Sequence, residues 1–201
     1  MADKPRIGAI VLAAGFSRRM GTQKLLADWN GVPLVRHVAD TALAACPDVI
    51  VSVGEDADAM RAALPQACTP LPVKDAAEGM AASLRAGMAE AAARGWDGAL
   101  VFLGDMPCIG ADLPRRMIAA FSAPTDVILP ECQGRRGNPV LWGAHWFADF
   151  AALRGEDGGK AILQANRIIP RTVLARSDAI LFDVDTPEAL ARLRSDPPPP
   201  A

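Results

Sequence analysis

Residues that bind soft metals or form crosslinks are scarce in this 201-residue chain. Its four cysteines, Cys46, Cys68, Cys108 and Cys132, stand singly with no C-x-x-C pair, and there are only two histidines, His37 and His145. This spacing argues against a zinc site or a disulfide framework. Net charge is also small, at −2, so nothing draws the whole molecule to nucleic acid or to an anionic membrane, and any anion site must be local. No long apolar run is present either. The first one, within MADKPRIGAIVLAAG, passes straight into polar loop residues, unlike a signal peptide or a membrane span, and a cytoplasmic location is expected. Internal repeats and Ser/Gly-rich linkers are absent as well. One domain over residues 1–195 is the simplest reading, followed by a Pro-rich tail, 196–201, expected to be disordered because SDPPPPA can neither continue a helix nor bury much.

What the chain does have is enough apolar material, 51% against 22% charged residues, to bury a core. Apolar runs bounded by turn residues, at 7–13, 49–53, 99–103, 127–129 and 180–184, read as strands buried on both faces. Between the first four lie alanine-rich stretches of helical periodicity, 33–44, 57–64, 79–94 and 113–121. This alternation predicts an α/β fold with a Rossmann-like, mostly parallel sheet and helices on both faces. The second half departs from it. In 131–142, ECQGRRGNPVLW, a Gln-Gly turn and a Pro-containing run predict a small β-hairpin extension laid beside the sheet, with helical stretches 144–154 and 158–166 walling one side.

Ligands of such sheets bind at the carboxyl ends of the strands. That places two segments on one rim: the loop in VLAAGFSRRMGTQKLL, 11–26, and LGDMP, 103–107. In the loop, Gly15 and Gly21 let main-chain N–H groups approach phosphates, while Arg18, Arg19 and Lys24 neutralise them. It matches neither G-x-x-x-x-G-K-[ST] nor G-x-G-x-x-G, and a solvated loop after a strand is the bland alternative. Asp105 follows a buried strand within a tight turn, where a carboxylate is suited to a divalent metal. Magnesium takes one or two carboxylates plus phosphate oxygens. Asp183 and Asp185, two apart at the end of the expected last strand, offer the second, with capping of the next helix by Asp185 or Thr186 as the alternative role.

Six motifs in order, LAAGFSRRMG with Lys24, GMAASLRAG (79–87), GDMP (104–107), GNPVLW (137–142), GEDGGKAIL (155–163) and DVDTPEAL (183–190), resemble the molybdopterin nucleotidyltransferases, particularly the molybdenum cofactor cytidylyltransferase family. The resemblance implies an enzyme of nucleotidyltransferase type. The terminal phosphate of molybdenum-carrying molybdopterin would attack the α-phosphorus of CTP and expel pyrophosphate, with Mg²⁺ as cofactor. Arg19 and Lys24 would hold the triphosphate, and Asp105 with Asp183, Asp185 or both would hold the metal. Leu12, Ala13, Ala14 and Gly15 would face the base, and Gly79 and Ser83 would lie near base and ribose. Arg135, Arg136, Asn138 and Lys160 would form the acceptor side.

Relatives using GTP tend to read LAGG where this chain has LAAG, so Ala14 favours CTP, although one methyl is worth only about 1–3 kcal/mol of discrimination. On the acceptor side Asn138 stands where histidine is common, and Glu156 and Lys160 where aspartate and arginine are usual. A GTP-using enzyme, another phosphorylated acceptor, or a non-catalytic protein delivering cofactor to a molybdoenzyme are the alternatives.

Overall fold

The computed structural model describes residues 4–15, 23–54 and 57–201. Ten strands occur among these residues: β1 (Ile7–Leu12), β2 (Asp28–Trp29), β3 (Val32–Pro33), β4 (Val49–Val53), β5 (Cys68–Pro72), β6 (Gly98–Leu103), β7 (Val127–Cys132), β8 (Arg135–Arg136), β9 (Val140–Gly143) and β10 (Arg171–Leu174). The α-helices are α1 (Leu34–Ala45), α2 (Asp58–Ala63), α3 (Met80–Ala93), α4 (Asp112–Ala120), α5 (Gly159–Ala165) and α6 (Pro187–Ser195). No described helix is long and apolar enough to cross a membrane.

The main sheet runs β10-β7-β9-β6-β1-β4-β5, with β8 paired to β7. β1, the first apolar run, lies between β4 and β6 and is parallel to both. Ala9, Ile10 and Val11 are completely buried there, as expected for a strand covered on both faces. One face packs against α1 and α4 through Val35, Leu113 and Met117, and the other against α3 through Leu84 and Met88. The expected α/β architecture is therefore present.

Three expectations need correction. The run 140–143 is not beside the sheet but inside it, as β9, antiparallel to both β6 and β7. Pro139 precedes this strand, so no ladder donor is lost, and Leu141 and Trp142 are buried. Only β8 forms the appended hairpin, with Gln133 and Gly134 supplying the positive φ of its turn. Second, 180–184 is not a strand. Residues Asp178–Leu181 form a 3₁₀ turn and 182–185 are irregular. This segment is held by single bonds to two partners, Asn138 N to Ile180 O at 3.0 Å and Val184 N to Asp105 O at 2.9 Å, and not by a ladder. Third, the 196–201 tail is not loose. Ser177 Oγ donates to Pro199 O at 2.6 Å, and Ala201 is buried against the core.

The sheet's two edge strands carried no legible signal. β5 reads CTPLP, its prolines tolerated because it is an edge, and β10 reads RTVL with an exposed Leu174. The walling stretch 144–154 is a 3₁₀ helix over Ala144–Ala152. Phe147, Phe150 and Leu153 are all buried, and their three-residue spacing is the 3₁₀ period.

Candidate functional site

At the carboxyl rim, β1 and β6 end side by side and their exits are tied together. Gly104 N donates to Leu12 O at 3.0 Å, and a Cβ on Gly104 would stand 2.7 Å from that oxygen, so only glycine lets the chains approach this closely. Ala13 N donates to Ser52 Oγ at 3.0 Å, which fixes the exit from β1 to the neighbouring strand β4. Ser52 escaped the sequence reading, although a lone polar residue within VIVSV was its signal.

Lys24 reaches this rim from a short 3₁₀ turn, Lys24–Leu26. Leu25 is buried beside Gly104 and anchors the turn. The Lys24 ammonium meets Asp105 Oδ2 at 2.7 Å and also pairs with Asp185 Oδ1. Burial alone would lower the Lys24 pKa, but the two carboxylates outweigh it and hold the ammonium above its ordinary value of 10.5. Asp105 Oδ1 is buried with no hydrogen-bond partner, an acceptor suited to a cation. Asp183, by contrast, is exposed. Partial burial and the nearby charges of Asp185 and Asp105 raise its pKa.

Among the described residues no three His, Cys, Asp or Glu side chains form a metal-binding group, so Asp105, Asp183 and Asp185 are not assembled as one ligand set. The reason is local: without a strand at 180–184, the alternate-residue rule that would align Asp183 with Asp185 does not apply. Thr186, one of the two capping candidates, does cap α6, accepting from Ala189 N at 3.2 Å.

The opposite wall is the start of α3. Gly79, at φ +118, precedes the helix, and a Cβ there would sit 2.5 Å from Gly155 O. Ala81 N donates to Gly155 O at 3.0 Å, and Arg85 ties the wall down through Glu78 and Leu153 O. Sequence reading missed this clasp, although Gly79 and Arg85 of GMAASLRAG and Gly155 of GEDGGKAIL were its traces. Ser83 is buried on the same helix. Ala14 packs with Val73, Ala76 and Ala82, so its methyl sets the spacing between the β1 exit and this wall. Leu12 is half-buried, Ala13 buried and Gly15 exposed at that exit. Arg18, Arg19 and Gly21 lie outside the described residues.

The expected acceptor residues come from two segments, 135–138 and the start of α5. Arg135 and Arg136 are exposed on β8, Asn138 follows them, and Lys160 is exposed on the first turn of α5. Among the described residues no side-chain hydrogen bond or ion pair joins these four to one another. The remaining candidates are structural. His37 hydrogen-bonds Trp29 O at 2.9 Å, and Trp142 packs edge-on to Phe150 in the core. Burial, helped by Asp48, pushes the Cys46 thiol up to about 12. Burial also pushes Cys68 and Cys108 to about 11, so none of these three is a thiolate nucleophile at neutral pH.

Residues 9–192 match the family model of the MobA-like NTP transferase domain. The chain is 28% identical to the purine catabolism protein PucB of Bacillus subtilis, over 94% of this chain and 97% of that protein. It is 32% identical to the molybdenum cofactor guanylyltransferase of Rhizobium johnstonii, over 77% and 72% of the two chains. The crystal structure of Rv0371c from Mycobacterium tuberculosis superposes with a TM-score of 0.86 at 28% identity, covering 96% of this chain and all of that one. The same protein has been solved in complex with manganese, with a TM-score of 0.78 at 25% identity over 95% and 99% of the chains.

Proposed function

Because this chain belongs to the MobA-like NTP transferase domain family, a family of nucleotidyltransferases, we propose that it transfers CMP from CTP to the terminal phosphate of molybdenum-carrying molybdopterin. The observation that carries this reading is the convergence of Lys24, Asp105 and Asp185 on the rim where β1 and β6 end. A triphosphate brings several negative charges to one point, and this is a rim with one rigidly held ammonium and two carboxylates.

In the reaction an oxygen of the acceptor phosphate attacks the α-phosphorus of CTP, a new P–O bond forms, and the bond to the β-phosphate breaks. Pyrophosphate leaves with the bonding electron pair. An ionised phosphate needs no general base, so the protein's task is alignment and charge stabilisation. Lys24 would neutralise charge building on the triphosphate, joined by Arg19. The exit residues Leu12, Ala13, Ala14 and Gly15 would hold the base against Gly79 and Ser83. Mg²⁺ would be held by Asp105 together with Asp185 or Asp183. The donor set fits it: hard carboxylate oxygens, one of them the unpartnered Asp105 Oδ1, in the number magnesium takes from a protein. When bound, the ion neutralises phosphate charge.

Arg135, Arg136, Asn138 and Lys160 would face the acceptor. Lys160 offers a point charge in place of an arginine fork. Ala14, whose methyl packs with Val73, Ala76 and Ala82, would favour CTP by limiting how closely a base approaches the β1 exit. A second reading, GTP as donor, is favoured by the relatives named molybdenum cofactor guanylyltransferase.

The test is pyrophosphate release from each nucleoside triphosphate in turn, with Mg²⁺ and molybdenum cofactor. Release with CTP alone is expected. Release with GTP instead replaces the first reading by the second. No release with any triphosphate, together with intact delivery of cofactor to an apo-molybdoenzyme, overturns both in favour of a carrier.

A further inference from the structure

Most arginines among the described residues are engaged. Among the described residues eleven form side-chain hydrogen bonds or ion pairs, including Arg85 with Glu78, Arg94 with Asp48 and Arg171 with Asp126. Arg135, Arg136, Arg167 and Arg192 have no such partner among the described residues. Two of these four face one pocket of about 140 Å³, lined by Arg135, Asp178, Leu181, Phe182, Arg192 and Pro198.

Two elements carry the cationic groups there. Arg135 sits on β8, directly after the tight Gln133-Gly134 turn. Arg192 lies in the last turn of α6, its guanidinium 5.4 Å from the centre of the Phe182 ring. Stacking of this kind pre-sets a guanidinium without using its N–H donors. Asp178 is the one carboxylate in the lining, so two cations face one anion. The volume is well below the several hundred Å³ of sites that take nucleotide-sized ligands. It suits one phosphate group with a small attached body.

We propose that Arg135 and Arg192 form a phosphate-binding pocket, separate from the Lys24–Asp105–Asp185 cluster, that takes orthophosphate or the phosphate of a small monoester. Guanidinium groups bind phosphate through paired N–H donors, and Leu181, Phe182 and Pro198 offer apolar walls to an ester's body. The pocket lies apart from the Lys24–Asp105–Asp185 cluster and shares only Arg135 with the expected acceptor side: Phe182 leads directly into Asp183 and Asp185, so an occupant would brace the segment that carries them. The proposal does not rest on the transfer reaction and stands or falls separately from it.

The full chain is titrated with orthophosphate and with phenyl phosphate at constant ionic strength. Heat is followed calorimetrically, and arginine Nε–H signals by NMR. One-site saturable binding that moves the Arg135 and Arg192 signals is expected. Binding should weaken about tenfold in Arg192→Gln or Arg135→Gln, persist in Arg192→Lys, and survive Lys24→Gln. Tighter phenyl phosphate identifies a monoester as the natural class, and equal or weaker binding identifies free phosphate. Unsaturable binding, indifference to both arginine-to-glutamine changes, or abolition by Lys24→Gln overturns the proposal.

Discussion

The two sides of the candidate site are built differently. On the Lys24 side, charged groups are bound to one another and to the strand ends: Lys24 pairs with Asp105 and Asp185, Asp105 O accepts from Val184 N, and Gly104 N donates to Leu12 O. On the β8 side, Arg135 and Arg136 project from a two-residue strand without ion pairs among the described residues. A cluster that holds its own geometry is pre-organised for work on charge, where misplacement is costly. A side with unpaired cations is adaptable, and its contribution is to affinity. The first side should therefore govern turnover and the second binding.

The largest effect should come from breaking the pre-organised side. Lys24→Gln or Asp105→Asn should lower kcat of the proposed transfer by about 10²–10³-fold, the loss typical of removing one electrostatic stabiliser. Circular dichroism should change little, while the melting temperature should fall, since both side chains are largely buried and either change weakens the ion-paired cluster. Lys160→Ala, by contrast, should raise the KM for acceptor and leave the KM for nucleotide and kcat nearly unchanged. An equal fall in kcat for both would erase the distinction between the sides.

Next comes the joint between them. Gly137 lies against the 178–182 segment so closely that a Cβ would stand 2.2 Å from Ile180 O. Backbone must then shift, and Gly137→Ala should cost about 1–3 kcal/mol, read as a lower denaturation midpoint in urea. The displaced segment leads to Asp185, so kcat should fall as well. Loss of stability alone would show that the two sides are mechanically independent.

Further from the chemistry, Asp126 tests whether scaffold rigidity matters at all. Its carboxylate accepts from Ser122 N at 2.7 Å, Ala123 N at 3.0 Å and Ser122 Oγ at 2.9 Å, and pairs with Arg171. Burial opposes ionisation, but these bonds outweigh it and hold the pKa below the ordinary 3.8. A depressed carboxylate pKa stabilises the fold above the unfolded value, and this contribution is lost as pH falls through the folded one. Asp126→Asn should therefore cost about 1–2 kcal/mol at pH 7. The gap to the parent protein should begin to close near pH 4 and vanish once Asp126 is protonated in both states. Neither KM should move.

Legibility in the sequence follows the same division. Interior strands β1, β4, β6 and β7 were readable because burial on both faces demands unbroken apolar runs, and GDMP and the Lys24 loop could be assigned to one rim from strand order alone. Edge strands β5 and β10 satisfy no such demand. β9 reads as peripheral because Pro139, which stands just before it, looks in sequence like part of the strand. The 180–184 segment is apolar for another reason: Ile180 and Val184 are pegs in the core, and their spacing imitates a strand. Nor does the local pattern reveal the Gly79–Gly155 clasp or the Arg135–Arg192 pairing, because both join positions more than fifty residues apart.

The smallest expected effect concerns the cap that follows Asp185. Thr186 Oγ1 accepts from Ala189 N and so starts α6, with Pro187 in the first turn. Thr186→Ala leaves that N–H unsatisfied and should cost about 1 kcal/mol, while Thr186→Ser should restore nearly all of it. The cap neighbours a residue paired with Lys24, so the comparison between the two sides can be pressed to its limit here. If Lys24 and Asp105 alone fix Asp185, kcat in Thr186→Ala stays within about twofold of the parent, because so small a local loss moves a rate by little. A tenfold fall in kcat, rescued by serine, would instead mean that the cluster is held from α6 and that its rigidity is borrowed from the helix.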